Sequence, residues 1–292
     1  MKLMHTLKQD TLSLSFEVFP PKQDAAFDSV KKATEEIAKL RPAFISVTYG
    51  AGGGTSKYTL DIAKNIKDQY NVQTLAHLTC VSSTRETVHQ KIKEIKAAGI
   101  ENIMALRGDI PADMDLSHQE TWAYHHAIDL IRELKESGAD FCIGGACYPE
   151  GHTESLDTVT DLRNLKRKVD AGANQLVTQL FLDNRYFYEF REKAELVGIH
   201  VPIEAGIMPV TNKKQIERMV QLCGVHLPEK FMKVMNRYEH QPEALQDAGI
   251  AYAIDQIVDL ITQGVDGIHL YTMNKPYVAR RIYEAVHRLL YA

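Results

Sequence analysis

Long apolar runs are missing from this sequence. None of its hydrophobic stretches is long enough to cross a bilayer, and the N-terminal MKLMHTLKQD lacks the apolar core of a signal peptide. Charge of one sign is missing too. A net charge of −4 over 292 residues gives no general electrostatic case for nucleic acid or an anionic membrane as partner. The basic run Lys166-Arg167-Lys168 is local and sits inside a helical pattern. Cysteine is scarce: Cys80, Cys142, Cys147 and Cys223 show no C-x-x-C spacing, which points to reduced, buried thiols in a cytoplasmic protein. No metal reading survives, for there is no H-E-x-x-H, no calcium loop and no Cys/His cluster at ligand spacing. The pair His125-His126 lies in a helical stretch, where its rings would face two directions. No G-x-S-x-G nucleophile elbow occurs. With neither metal nor evident nucleophile, a bound organic cofactor becomes the natural carrier of chemistry.

What is present is an ordinary globular composition, 45% hydrophobic and 25% charged, arranged as strands alternating with helices. Strands are predicted at Ser13–Phe19, Ala43–Tyr49, Val72–Thr79, Asn102–Leu106, Phe141–Ala146, Gln175–Gln179, Val201–Ala205 and Gly267–Tyr271. Helices are predicted at Asp24–Leu40, with Asp24 as N-cap, then at Lys57–Gln69, Thr84–Ala98, Thr121–Ser137, Thr158–Asp170, Asn184–Leu196, Asn212–Cys223, through Pro228–Thr262, and at Pro276–Leu290. Gly99, Gly138, Gly172 and Gly198 close helices just before the next strand. Strict alternation means a parallel sheet. Eight units without a Pro/Ser-rich linker favour an α/β fold, one (β/α)8 TIM barrel forming a single domain over residues 1–292, ahead of a doubly wound open sheet.

In such a barrel, function gathers where the strands end. The strand ends here are polar: Glu17, Thr48 with Tyr49, His77, Arg107 with Asp109, Tyr148 with His152, Gln179, and Tyr271. The fourth strand, Asn102–Leu106, runs straight into Arg107-Gly108-Asp109, and a buried strand does not usually finish in opposite charges unless they face a site. Glu17 sits in SFEVF between apolar neighbours. If it points into the barrel mouth, desolvation raises its pKa and makes it a general-acid candidate. The other reading is a carboxylate paired with Arg or Lys across the barrel. Asp109 offers a second carboxylate that would divide labour with it. The loop GAGGGT at residues 50–55 fails the full G-x-G-x-x-G pattern and lacks a P-loop Lys. It is either a plain flexible loop or one that lets backbone approach a flat or phosphorylated ligand. Asp161, Asn164 and Lys168 share a helix face with Arg167 beside them, which suits a solvated surface or a ribose and pyrophosphate.

The motifs SFEVFPP, SVTYGAGG, HLTC, ALRGD, YPEGH, NLKRKVDAGAN and TQLFLD, running in this order over almost the whole chain, resemble the methylenetetrahydrofolate reductase family. The resemblance implies FAD as cofactor, reduced by NADH or NADPH. Methylenetetrahydrofolate then takes the pyridine nucleotide's place and receives hydride from flavin N5, giving methyltetrahydrofolate for methionine synthesis. By the same resemblance Glu17 is the general acid at the departing N10. Asp109 lies near flavin and pterin, and Gln179 is the amide that serves pterin and nicotinamide in turn. Flavin contacts are implied for Thr48, Tyr49, Ala51, His77, Arg107, Gly108, Asp109, Ala127, Tyr148, His152, Ser155, Asp161, Asn164, Arg167 and Lys168, with Gly108 approaching by its backbone. Substrate contacts are implied for Glu17, Thr48, Asp109, Gln179, Met219, Tyr271 and Lys275. Lys275 stands where some relatives have Arg and Met219 where some present Phe, while Met114–Gln119 matches poorly. A homo-oligomer is expected, as is the absence of the allosteric control of larger members. Two rival readings stand beside this one. A flavin-free barrel lyase would need a Schiff-base Lys at a strand end, and none of the eight strands carries one. A non-enzymatic folate-binding scaffold has no use for Glu17, Asp109 and Gln179 together.

Overall fold

The computed structural model describes residues 2–3, 7, 12–21, 23–49, 56–110 and 121–291. Eight parallel strands close into a barrel in chain order: β1 (Ser13–Val18), β2 (Phe44–Val47), β3 (Gln73–Thr79), β4 (Asn102–Leu106), β5 (Cys142–Cys147), β6 (Gln175–Thr178), β7 (Ile203–Ile207) and β8 (Gly267–Tyr271). Closure comes from β1 pairing with β8, with Phe16 opposite Leu270 and Glu17 opposite Tyr271. Around the barrel run α1 (Phe27–Ala38), α2 (Ser56–Tyr70), α3 (Arg85–Ala97), α4 (Ala127–Glu136), α5 (Thr158–Asp170), α6 (Asn184–Leu196), α7 (Lys213–Cys223), α8 (Glu229–Tyr238), α9 (Pro242–Thr262) and α10 (Pro276–Val286). Among the described residues no helix is long and apolar enough to cross a membrane.

Alternation along each strand separates two environments. Leu14, Phe16, Val18, Ile45, Val47, Ala76, Leu78, Ile103, Ala105, Ile268 and Leu270 face the helices and form the main core with Ile37, Ile62, Ile95, Phe187 and Ile257. The other strand face lines the lumen. There Phe44, Leu75, Met104, Cys142 and Val177 pack together over Leu3 and Leu7. Buried polar side chains share that face: Ser13, Ser15, Glu17, Ser46, His77, Asn102, Gln175, Glu204 and His269.

Several boundaries depart from the sequence expectation, each for a local reason. The fourth helix starts at Ala127, not Thr121. His126 is extended, and Asp129 Oδ2 accepts from both His125 and His126 backbone N–H at 3.0 Å, a capping box that fixes the start. The two histidines therefore precede the helix instead of lying in it. Asp24 begins a 3-10 turn over Asp24–Ala26 and makes no cap to the helix that follows. β7 is shifted two residues onward from the expected span: Pro202 has no N–H to give, and Ile203 N–H goes to Asp266 Oδ2 at 2.8 Å. The stretch 228–262 is two helices, the second opened by Pro242 at its first turn. The last helix ends at Val286, followed by a 3-10 turn at Leu289–Tyr291. The glycines expected to close helices, Gly99, Gly138, Gly172 and Gly198, all have positive φ. Cys80, Cys142 and Cys147 are buried, Cys223 half-buried, and none is in a disulfide.

Candidate active site

Glu17 occupies the lumen face of β1 close to its C-terminal end and is 8% exposed. Its Oε2 accepts from Ser46 Oγ on β2 at 3.3 Å. The same oxygen lies 3.6 Å from His77 Nε2 on β3 and 3.7 Å from His269 Nε2 on β8. Ser46 Oγ is also 3.1 Å from His269 Nε2. The partners gathered around this carboxyl are thus a hydroxyl and two imidazoles from three other strands, and no Arg or Lys among the described residues is paired with it. Burial pushes His77 down to about 4, with the charge of Glu17 opposing and that of His269 adding to the effect. The ring is neutral at neutral pH, and its buried Nε2 has no hydrogen-bond partner among the described residues. Such an atom needs an explanation, and a ligand over the mouth supplies one.

A second group surrounds the ends of β4 and β5. Arg107 holds Glu154 through both guanidinium nitrogens, Nη1 to Oε2 at 2.5 Å and Nη2 to Oε1 at 2.8 Å. Gly108 has φ +89, and a Cβ there would lie 2.9 Å from Thr79 Cβ and 3.1 Å from Val81 Cγ1, so both its backbone conformation and the loop after β3 require glycine. That loop is fixed in turn by Cys80 and Val81 N–H groups donating to Arg107 O. Asp109 is exposed at the lip, near enough to raise the pKa of Arg107, Tyr148 and Cys223. Tyr148 and His152 meet edge to face with ring centroids 4.5 Å apart. His152 N–H donates to Asp161 Oδ2 at 3.3 Å, and its ring lies among Glu154, Asp161, Arg107 and Lys168, with burial lowering its pKa. Lys168 Nζ donates to Ala146 O of β5 at 2.6 Å, and desolvation lowers its pKa. No strand carries a lysine at its end, yet α5 delivers one ammonium to that place. Ser155 Oγ donates to Asp157 O, while Asn164 and Arg167 stay exposed on α5 with 3.4 Å between Oδ1 and Nη1. Ala127 is the first residue of α4.

The remaining predicted residues close the circle. Thr48 N–H reaches Val18 O, and its carbonyl takes Thr59 Oγ1. Tyr49 packs on the main core. Gln179 folds its Oε1 back onto Leu180 N–H at 2.9 Å. Tyr271 donates its hydroxyl to Thr178 O at 2.6 Å, and burial together with Glu17 holds its pKa well above the ordinary value. Lys275 Nζ donates to Thr211 Oγ1, and Met219 packs from α7 on the cluster around Met208 and Phe231. Ala51, the rest of the loop at residues 50–55, and Met114–Gln119 lie outside the described residues. Among the described residues no three His, Cys, Asp or Glu side chains gather as a metal site.

Three participants were missed in the sequence: Ser46, His269 and Glu154. Ser46 and His269 carry a signal in retrospect, as lone polar residues at alternate positions of apolar strands. Glu154 lies in a loop and carries none.

Against known proteins, the model of the methylenetetrahydrofolate reductase family matches residues 2–287. The chain belongs to that family. Relatives named 5,10-methylenetetrahydrofolate reductase include one from Escherichia coli (strain K12), 36% identical over 281 residues, covering 96% of this chain and 92% of the relative. Another, from Pectobacterium carotovorum subsp. carotovorum, is 36% identical over 267 residues, covering 91% and 87%. A longer relative from Arabidopsis thaliana, named methylenetetrahydrofolate reductase (NADH) 1, is 33% identical, and the alignment spans 48% of its length. Among solved structures, an uncharacterized protein from Clostridium thermocellum, described as binding two copies of 5-methyl-5,6,7,8-tetrahydrofolic acid, superposes over the full length of both chains. Its TM-score is 0.71 at 12% identity, a likeness of fold. Membership of the reductase family supports an oxidoreductase acting on methylenetetrahydrofolate in one-carbon metabolism.

Proposed function

We propose that this chain reduces 5,10-methylenetetrahydrofolate to 5-methyltetrahydrofolate by a two-stage exchange, with NADH or NADPH as electron source and FAD as resident cofactor. The observation that carries the proposal is Glu17, a buried carboxyl at the barrel mouth held by Ser46 between His77 and His269, in a chain of the reductase family. FAD, when bound, supplies the two-electron carrier that these side chains lack.

The residues fit such a group. His77 offers a buried nitrogen with no hydrogen-bond partner among the described residues. Arg107 and Lys168 bring two cations to one side of the mouth, both close enough to act on His152, and would offset the charge of a diphosphate. Thr48, Tyr49, Ala51, His77, Arg107, Gly108, Asp109, Ala127, Tyr148, His152, Ser155, Asp161, Asn164, Arg167 and Lys168 are assigned to hold it. Glu17 delivers a proton to N10 of the folate, so that the five-membered ring opens toward an iminium. Ser46 fixes the carboxyl for that transfer. Asp109, exposed at the lip, favours the positive charge that develops on the folate. Gln179 has one amide end tied to Leu180 and an NH2 left to donate, which suits alternate partners. Thr48, Tyr271, Met219 and Lys275 complete the substrate side.

The test is direct. The purified protein should show a flavin absorbance band and oxidise NADH or NADPH with menadione as acceptor. Failure to oxidise either nucleotide, even with FAD added, overturns the reading.

A further inference from the structure

The lumen holds a titratable group that the proposed reaction does not use. Glu204, on β7, is completely buried. Ser13 Oγ donates to its Oε1 at 2.7 Å, and Ser15 Oγ lies 3.4 Å from the same oxygen. Ser15 Oγ is in turn 2.6 Å from His269 Nδ1, and the other nitrogen of that ring is the one facing Ser46 and Glu17. Glu204 Oε2 has no partner among the described residues. One imidazole is therefore strung between a carboxyl at the mouth and a carboxyl deeper in the lumen, with a serine at each junction.

Resting on Glu17 as the acid, we propose that Glu204 is a positioning residue for the same reaction, fixing the tautomer of His269 from below and thereby the hydrogen-bond direction at Glu17. Ser15 sets the order of donors. Its hydroxyl has one hydrogen and three acceptors in reach, Glu204 Oε1, Ile268 O at 3.2 Å and His269 Nδ1. When Glu204 is ionised, Ser15 donates toward it and accepts from Nδ1–H. The far nitrogen then donates through Ser46 toward Glu17 only if the ring is a cation. When Glu204 is protonated, Ser15 is free to donate to Nδ1. A neutral ring with its hydrogen on Nε2 then serves Ser46. No proton need travel the length of the chain; the state of one end selects the donor order at the other.

Burial pushes Glu204 up to about 7, opposed by His269, Ser13 and Ser15 and assisted by Asp266. The groups acting on it are His269 on β8, Ser13 and Ser15 on β1 and Asp266 just before β8, while Glu17 and His77 stand beyond His269 at the mouth. Both forms of Glu204 are populated at neutral pH.

The experiment is the pH profile of folate reduction by the pre-reduced holoenzyme, mixed anaerobically with methylenetetrahydrofolate, for wild type, Glu204→Gln and Ser15→Ala. The wild type should show a break near neutral pH. In Glu204→Gln that break should vanish or move by about one unit or more, roughly a tenfold rate change on the affected limb. Ser15→Ala, which cuts the junction but leaves both end groups, should act likewise and add little in the double variant. Reduction by NADH or NADPH should keep its own profile throughout. In the protein without substrate, a carboxylic-acid infrared band should titrate near neutral pH and be missing from Glu204→Gln. A merely structural Glu204 would alter thermal stability and leave the profiles superimposable in both variants, which overturns the inference. Glu17→Gln separates the layers: if it still reduces folate, the reading of Glu17 falls first. If it does not, and the Glu204 profile is unmoved, only the role of Glu204 falls.

Discussion

The lumen has two walls of equal burial and opposite chemistry. On one, Phe44, Leu75, Met104, Cys142 and Val177 interlock above Leu3 and Leu7. On the other, Ser13, Ser15, Ser46, Glu204 and His269 lead up to Glu17. Phe44 joins them, stacking on the His269 ring at 5.7 Å. The apolar wall does what barrel interiors do: it excludes water and stabilises. The polar wall costs desolvation at every group and leaves Glu204 Oε2 without a partner among the described residues. A fold seeking only stability would fill both walls with branched aliphatics. The polar wall is where the demands of the proposed reaction enter this sequence.

The largest effect is expected at the apolar wall. Leu75→Ala empties a fully buried lumen position and should cost about 2–5 kcal/mol in denaturant unfolding, while both half-reactions of the surviving folded enzyme keep their pH profiles. Altered profiles would mean that the walls are not separable.

The polar side should respond to pH. Glu204 has a folded pKa near 7, raised from 4.5, so it binds its proton more tightly when folded. Its contribution is fully present below about 4.5 and is lost as pH rises through 7. His77 runs the other way: with a folded pKa near 4, its contribution is lost as pH falls from about 6.5 toward 4. Glu204→Gln should therefore gain stability relative to wild type between pH 5 and pH 8, by on the order of 3 kcal/mol at the upper end. Melting temperatures across that range check it, and a constant difference contradicts it.

The smallest effect belongs outside the lumen. Glu154 neutralises Arg107 at the mouth, and Glu154→Gln should tighten FAD binding only a few-fold, because exposed ion pairs contribute up to about 1 kcal/mol. Titration of apoprotein with FAD measures it; weaker binding would give Glu154 a supporting role instead.

The barrel was legible because alternation is a local signal. Asn102–Leu106, Thr158–Asp170, Asn184–Leu196 and Gly267–Tyr271 coincide with the observed elements. The rim of Glu17, His77, Arg107 and Tyr148 followed from knowing where strands end. The helix at Ala127 was misplaced because Trp122-Ala123-Tyr124 extends the apolar pattern backward, while the capping hydrogen bonds of Asp129 decide the start. The pairing of Ser15 with His269 was hidden for another reason. They are 254 residues apart and meet only because the sheet closes. Glu204, alone in IEAGI, shows its meaning only once β7, β8 and β1 stand side by side.

The central claim is that the polar wall exists to present a proton at Glu17. Its most direct test is Glu17→Gln, followed through each half-reaction by rapid mixing. Reduction of the bound flavin by NADH or NADPH should proceed within a few-fold of wild type, while folate reduction by the pre-reduced enzyme should fall by about 10²–10⁴. Equal loss of both halves, or folate reduction at the wild-type rate, would contradict the account.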